Sequence, residues 1–179
     1  MHDVGKLTVE RNIINSPVRI NAKESAELNK HPAIGYEILL PIHHPYTDVP
    51  LAAKYHHERL DGRGYPDELY DRDIPYIAKI VCLADSFDAM TTDRPYKRRR
   101  PAHEVVEDLQ RNAGKQFAPE LVTAFCRAML KEITLETKQK KFRRLLGREY
   151  LEAEGIVPLL KNALNGMNGT SSLTLVSLD

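Results

Sequence analysis

Residues 55–66 read YHHERLDGRGYP, two adjacent histidines set against a stretch that no regular helix or strand can absorb. Asp61-Gly62, Gly64, Pro66 and Pro75 punctuate residues 58–75 with turn chemistry. The flanks have another character. VPLAAKYHH, residues 49–57, predicts a short helix that delivers its histidines at the C-terminal end. Pro75 opens the strongly apolar run PYIAKIVCLADSFDAMTT, predicted as a long helix. Such a chain has to fold as helices around one long, shaped loop, so the expected class is all-α.

The remaining segments agree. ESAELNKH, residues 24–31, follows Asn21, a suitable N-cap, and Pro32 interrupts that helix or opens the next, PAIGYEILLPI. PAHEVVEDLQRNAG has proline at its start and Gly114 at its end. APELVTAFCRAMLKEI carries Leu121, Val122, Phe125, Ala128 and Met129 on one stripe. Beyond Thr134 the composition shifts to the basic KQKKFRR, a partly helical REYLEAEGIVPLLKNAL and a small, polar end. The expected division is a main domain over residues 1–134 and a C-terminal extension of undetermined role over 135–179.

Charge excludes some function classes. Lys and Arg total 26 against 25 Asp and Glu, a net charge of +1, so nothing draws the whole molecule to nucleic acid or an anionic membrane. RPYKRRR and KQKKFRR are basic, but no nucleic-acid reading module accompanies them, and nucleic acid is not an expected partner. No apolar run reaches the length of a membrane span. Cys82 and Cys126 sit apart in apolar helical segments and read as small buried hydrophobes in a reducing, cytoplasmic compartment.

Histidines and aspartates recur at separated places: His2-Asp3, His31, His56-His57 and Asp85. Imidazole nitrogen with carboxylate oxygen suits iron, manganese or zinc. Neighbouring residues on a helix point about 100° apart, so His56 and His57 are poorly placed to share one small tetrahedral ion and better placed to reach two neighbouring ions. Any one of these residues alone is more simply a solvated or hydrogen-bonded side chain. His43-His44 and His103 keep that reading, the pair in a proline-rich connector, His103 in a helix's first turn.

HDVGK, NKHPAIGYEIL, YHHERLDGRGYP and IVCLADSFDAMTTDRPYKR, in that order, resemble the HD-GYP family, the branch of the HD phosphohydrolase superfamily linked to cyclic di-GMP breakdown in bacteria. The resemblance covers residues 1–130 or so and implies an HD-type helical bundle. It further implies that His2, Asp3, His31, His56, His57 and Asp85 hold two or more divalent ions, with Asp3 as the bridge. Iron or manganese is expected, because the set contains no thiolate. Lys6 falls where the family places a lysine near the scissile phosphate. Arg94 and Lys97 match positions that contact substrate, and Tyr65 belongs to the GYP loop, implicated in substrate access and in contacts with diguanylate cyclase domains. Asp3 and Lys6 are therefore the expected catalytic residues, and Lys6, Arg94, Lys97 and Tyr65 the expected substrate contacts. Family members carry helices ahead of the HD pair that supply a further histidine. With Met1 directly before His2, the chain is expected to be an N-terminally truncated bundle of reduced activity, with apolar helix faces that favour self-association.

The expected activity is metal-dependent hydrolysis of cyclic di-GMP to linear pGpG or GMP. Two alternatives stand beside it: an HD phosphohydrolase of another nucleotide, and a catalytically weak module that binds partner proteins through the GYP loop.

Overall fold

The computed structural model describes residues 1–42, 45–93, 97–139 and 156–168. It is all-α, as expected. In chain order the helices are α1 (Arg11–Ile14), α2 (Ala22–Leu28), α3 (His31–Leu39), α4 (Val49–Tyr55), α5 (Tyr76–Thr91), α6 (Ala102–Asn112), α7 (Pro119–Gln139) and α8 (Ile156–Asn168). Two 3-10 turns, Val4–Thr8 and Asp71–Asp73, complete the regular structure. Among the described residues strand pairing is limited to isolated bridges, Asp61 with Tyr70 and Ala113 with Phe117.

Local chemistry sets the helix ends. Asn21 accepts the Glu24 amide (3.0 Å) while the Glu24 carboxylate accepts the Asn21 amide (2.8 Å), a reciprocal capping box that starts α2. Pro75 and Pro101 stand immediately before α5 and α6, where a missing N–H costs nothing. After α6 the chain turns through Gly114 at φ +79°, a conformation that disfavours any residue with a Cβ.

Two packing regions share α5. On one side Cys82, Leu83 and Met90 of α5 join Val105, Val106 and Leu109 of α6, Val122 and Cys126 of α7, and Ile156, Leu160 and Ala163 of α8 in a single apolar cluster. Helix α7 continues through residue 134, and α8 packs on both α6 and α7. On the other side α5 packs against α4, α4 against α3, and α3 against the Val4–Thr8 turn. That last contact is backbone to backbone. A Cβ on buried Gly5 would collide with the His31 carbonyl and the Gly35 amide nitrogen, so glycine lets the N-terminal segment lie flat on α3. Both cysteines are buried free thiols, as predicted.

Candidate metal centre

The imidazoles arrive from three separate places in the chain, His56 and His57 together from the end of α4. His31 is the first residue of α3, His56 follows the last residue of α4, and His2-Asp3 precedes the Val4–Thr8 turn. Asp85 projects from the middle of α5. Their convergence therefore depends on how α3, α4, α5 and the N-terminal segment pack.

His31 Nδ1 lies 2.7 Å from the Leu28 carbonyl oxygen, and His56 Nδ1 lies 2.8 Å from that of Ala53. A carbonyl only accepts, so both Nδ1 atoms carry the proton and donate it. In the neutral rings Nε2 then bears a free lone pair. These two Nε2 atoms face each other at 3.4 Å. Asp3 Oδ1 stands 3.3 Å from the first and 3.8 Å from the second. It is buried and has no hydrogen-bond partner. Three acceptors thus converge in a water-poor site with no proton between them, an arrangement that repels itself until a cation is added.

The second half of the site is acidic and basic together. Asp3 Oδ2 accepts from Lys6 Nζ at 2.7 Å and lies 3.5 Å from His2 Nε2. His2 Nε2 is also 3.7 Å from Asp85 Oδ1. The one carboxylate of Asp3 consequently serves two groups, Oδ1 turned to His31 and His56, Oδ2 to His2 and Lys6. Potential ligand atoms of His31, His56 and His57 come within 4.8 Å of one another, as do those of His2, Asp3 and His56. The His56 and His57 rings have centroids only 4.0 Å apart, inclined at 41°. Adjacent in sequence, they enter overlapping ligand groups without both being needed in one.

Charge follows from this geometry. The Asp3 and Asp85 carboxylates beside His2 push its imidazole up to about 9. Burial pulls His56 down to about 4 and His57 down to about 3, leaving both neutral and able to ligate near pH 7. Burial alone would raise Asp3, but hydrogen bonds from His2 and Lys6 outweigh it and hold the carboxyl far below the usual range. His2 likewise lowers Asp85.

The loop after α4 closes one wall. Tyr65 stacks on His57, with centroids 4.7 Å apart and planes inclined at 20°. Its phenol is pushed up by burial, so it stays neutral. Glu58 holds the loop in place, a role that nothing along the chain marks beyond a charge following two histidines. It is 2% exposed and accepts the amides of Asp67 (2.7 Å) and Leu69 (3.0 Å). A Cβ on Gly64 would strike the Glu58 backbone, which accounts for the glycine. Arg59 grips Asp61 through two nitrogens at 3.0 and 2.8 Å and donates to Gln116 Oε1 at 2.7 Å, tying the loop to the connection between α6 and α7.

Beside the cluster lies a cavity of about 520 Å³ that Lys6 and Lys97 both line. The cavity is not legible in the sequence, because most of its other walls come from the irregular segment around α1. His103 is exposed, as expected of a surface residue. Arg94, His43 and His44 lie outside the described residues.

Residues 1–121 match the family model described as the HD domain. Among curated proteins, the chain is 38% identical over 142 residues to a cyclic di-GMP phosphodiesterase of Thermotoga maritima, covering 79% of this chain and 38% of that protein. It is 38% identical over 136 residues to the cyclic di-GMP phosphodiesterase response regulator RpfG of Xanthomonas campestris, covering 74% and 36%. It is 37% identical over 123 residues to a 3′3′-cGAMP-specific phosphodiesterase of Vibrio cholerae, covering 68% and 24%. The chain thus spans between 24% and 38% of the length of these three relatives.

Proposed function

This chain belongs to the HD domain family, in its HD-GYP branch, and on that footing we propose that its histidine–aspartate cluster is the metal centre of a phosphodiesterase that opens cyclic di-GMP. The observation that carries the reading is Asp3 Oδ1, buried without a donor between the unprotonated Nε2 atoms of His31 and His56. The donor set fits divalent ions of the iron or manganese kind, two or more, held by His2, Asp3, His31, His56, His57 and Asp85. Such ions, when bound, lower the pKa of a water and neutralise phosphoryl oxygens.

The protein's own groups do the rest. Asp3, ionised and shared between two histidine groups, sets the spacing of the centre. The imidazoles of His31 and His56 are locked in one tautomer by backbone carbonyls, so no reorientation is needed on binding. Lys6, beside Asp3, offsets the negative charge that grows on the phosphate during attack. Arg94 would grip a phosphate as a fork, and Lys97 would add a point charge. Tyr65 shields His57 and borders the substrate. Water adds across the P–O3′ bond: its oxygen bonds to phosphorus, the 3′-oxygen leaves and takes a proton, and linear pGpG results. A second cut gives GMP.

The catalytic unit is proposed to be residues 1–134, in line with a family match that ends at residue 121. In residues 135–179, α8 covers apolar faces of α6 and α7. The exposed Arg63, Asp67 and Glu68 support a proposed contact between the GYP loop and a diguanylate cyclase domain. Self-association is proposed through exposed apolar side chains such as Tyr76 and Ile80 of α5. No helix among the described residues is long and apolar enough to cross a membrane, and the buried free thiols suit the proposed cytoplasmic location.

Elemental analysis and nucleotide chromatography test the reading together. Asp3→Asn should lose bound metal and slow cyclic di-GMP hydrolysis by at least about a hundredfold, the cost of misplacing reacting groups by about an ångström. Unchanged metal content in that variant would refute the bridging role.

A further inference from the structure

Helix α5 meets the loop after α4 along one stripe. Cys82 and Ser86 are four residues apart, so they stand one above the other on the same face of the helix. The Cys82 thiol is buried and lies 3.7 Å from the Glu58 carbonyl oxygen. One turn on, the Ser86 hydroxyl accepts from Gln116 Nε2 at 3.2 Å. Asp85 lies between these two contacts in sequence, and its Oδ1 is 3.7 Å from His2 Nε2. The rotation of α5 that aims Asp85 at His2 is therefore set where Cys82 and Ser86 touch their partners.

Gln116 belongs to neither element. It stands in the connection between α6 and α7, 30 residues from Ser86 and 57 from Arg59. Its Oε1 accepts from Arg59 Nη1 at 2.7 Å. A guanidinium only donates, so the side-chain amide has one orientation here, oxygen to Arg59 and nitrogen to Ser86. Arg59 is itself pinned. It holds both carboxylate oxygens of Asp61, and the Asp61 amide donates to the Lys115 carbonyl at 2.9 Å. Arg59, Asp61, Lys115 and Gln116 thus form a closed circuit, and the backbone amide of Gln116 is fixed on the Asn112 carbonyl at 2.9 Å. From that circuit Gln116 Nε2 reaches out to the turn of α5 that carries Asp85.

We propose that Gln116 is a positioning residue of the metal centre: it couples the loop to α5 through Arg59 and Ser86 and so fixes Asp85 opposite His2. It acts through these neighbours and is not itself a ligand. The inference rests on the metal-centre reading and adds to it a residue remote from the His and Asp motifs. A carboxylate at position 116 would serve as well, because it accepts from the Arg59 guanidinium and from the Ser86 hydroxyl, which donates as readily as it accepts. A methionine fills the same space and offers only a weak acceptor.

Manganese binding to the whole chain, measured by calorimetry, tests this without an assay of activity. Gln116→Met should bind manganese more weakly by about tenfold or more, the effect of removing a group that orients a metal ligand. Gln116→Glu should keep the affinity of the unaltered protein. Leu160→Ala, which loosens the apolar cluster of α5 to α8, should keep it too, and so separates positioning from a general loss of stability. Unchanged affinity in Gln116→Met, or an equal loss in either of the other two variants, overturns the proposal. Cyclic di-GMP hydrolysis at saturating manganese gives a second readout. In Gln116→Met kcat should fall while KM holds, since Lys6 and Lys97 are untouched; a raised KM at constant kcat also overturns the proposal. The expected affinity pattern, without hydrolysis by the unaltered protein, would uphold the role of Gln116 and reject the phosphodiesterase reading.

Discussion

His2 and the pair His56–His57 start from the same ordinary value of 6.5 and move in opposite directions, His2 up to about 9, His56 and His57 down to about 4 and about 3. In the metal-free protein each shift has a stability consequence of known sign. The contribution of His2 is fully present below 6.5 and fades as pH rises toward about 9, because only its protonated form pairs with Asp3 and Asp85. The buried neutral rings act the other way. Below 6.5 the unfolded chain takes up protons that folded His56 and His57 refuse, so stability falls as pH drops toward about 4. Thermal unfolding in chelator should therefore show a maximum near pH 6.5. Added manganese should move that maximum upward, since metal must displace the His2 proton and does so more easily as pH rises. A metal-free profile that climbs steadily from pH 5 to 9 would contradict the placement of His2 between two carboxylates.

At the scale of elements, the site depends on two residues outside the candidate ligand set, Gly5 and Glu58. Gly5 lets the N-terminal segment rest on α3. Gly5→Ala should push His2 and Asp3 away from His31, cost about 1–3 kcal/mol as overpacking does, and lower metal content although no ligand has changed. Urea unfolding and elemental analysis of that variant would check both parts. Glu58 is the second. Its carboxylate satisfies two loop amides, and hydrogen bonds to a charged group carry about 1.5–3 kcal/mol each. Glu58→Ala should loosen residues 58–70, seen as faster proteolysis within the loop, and free Tyr65 from His57. The helices themselves were legible beforehand: the Asn21 cap, the prolines ahead of α5 and α6 and Gly114 all act within a few residues of their own position. Helix α1 and the Val4–Thr8 turn were not, being too short to show a period.

In the whole molecule α5 divides the labour. Asp85 faces His2 in the candidate metal centre while Cys82, Leu83 and Met90 enter the apolar cluster with α6, α7 and α8. Leu160 of α8 is 2% exposed in that cluster, remote in sequence from every ligand. Leu160→Ala should cost about 2–5 kcal/mol in urea unfolding, the range for emptying a packed leucine site. Metal stoichiometry under native conditions should stay the same, because the α3–α4 half of the bundle is not touched. Metal loss at full folding would show that the two halves are coupled more tightly than the packing indicates.

The sequence by itself determined the class, the main helices, the family and the separated His and Asp motifs. Each of those rests on local chemistry: a cap, a proline, a period, a run of residue types. Only the tertiary structure decided that six of those side chains meet, that Asp3 turns one oxygen to each side, and that Nδ1 of His31 and His56 is spent on backbone carbonyls. It also decided that Glu58 is buried and that Gln116 stands between Arg59 and Ser86. These are facts about distance between segments far apart in the chain. No spacing along the sequence encodes them, because they arise from helices packing side by side.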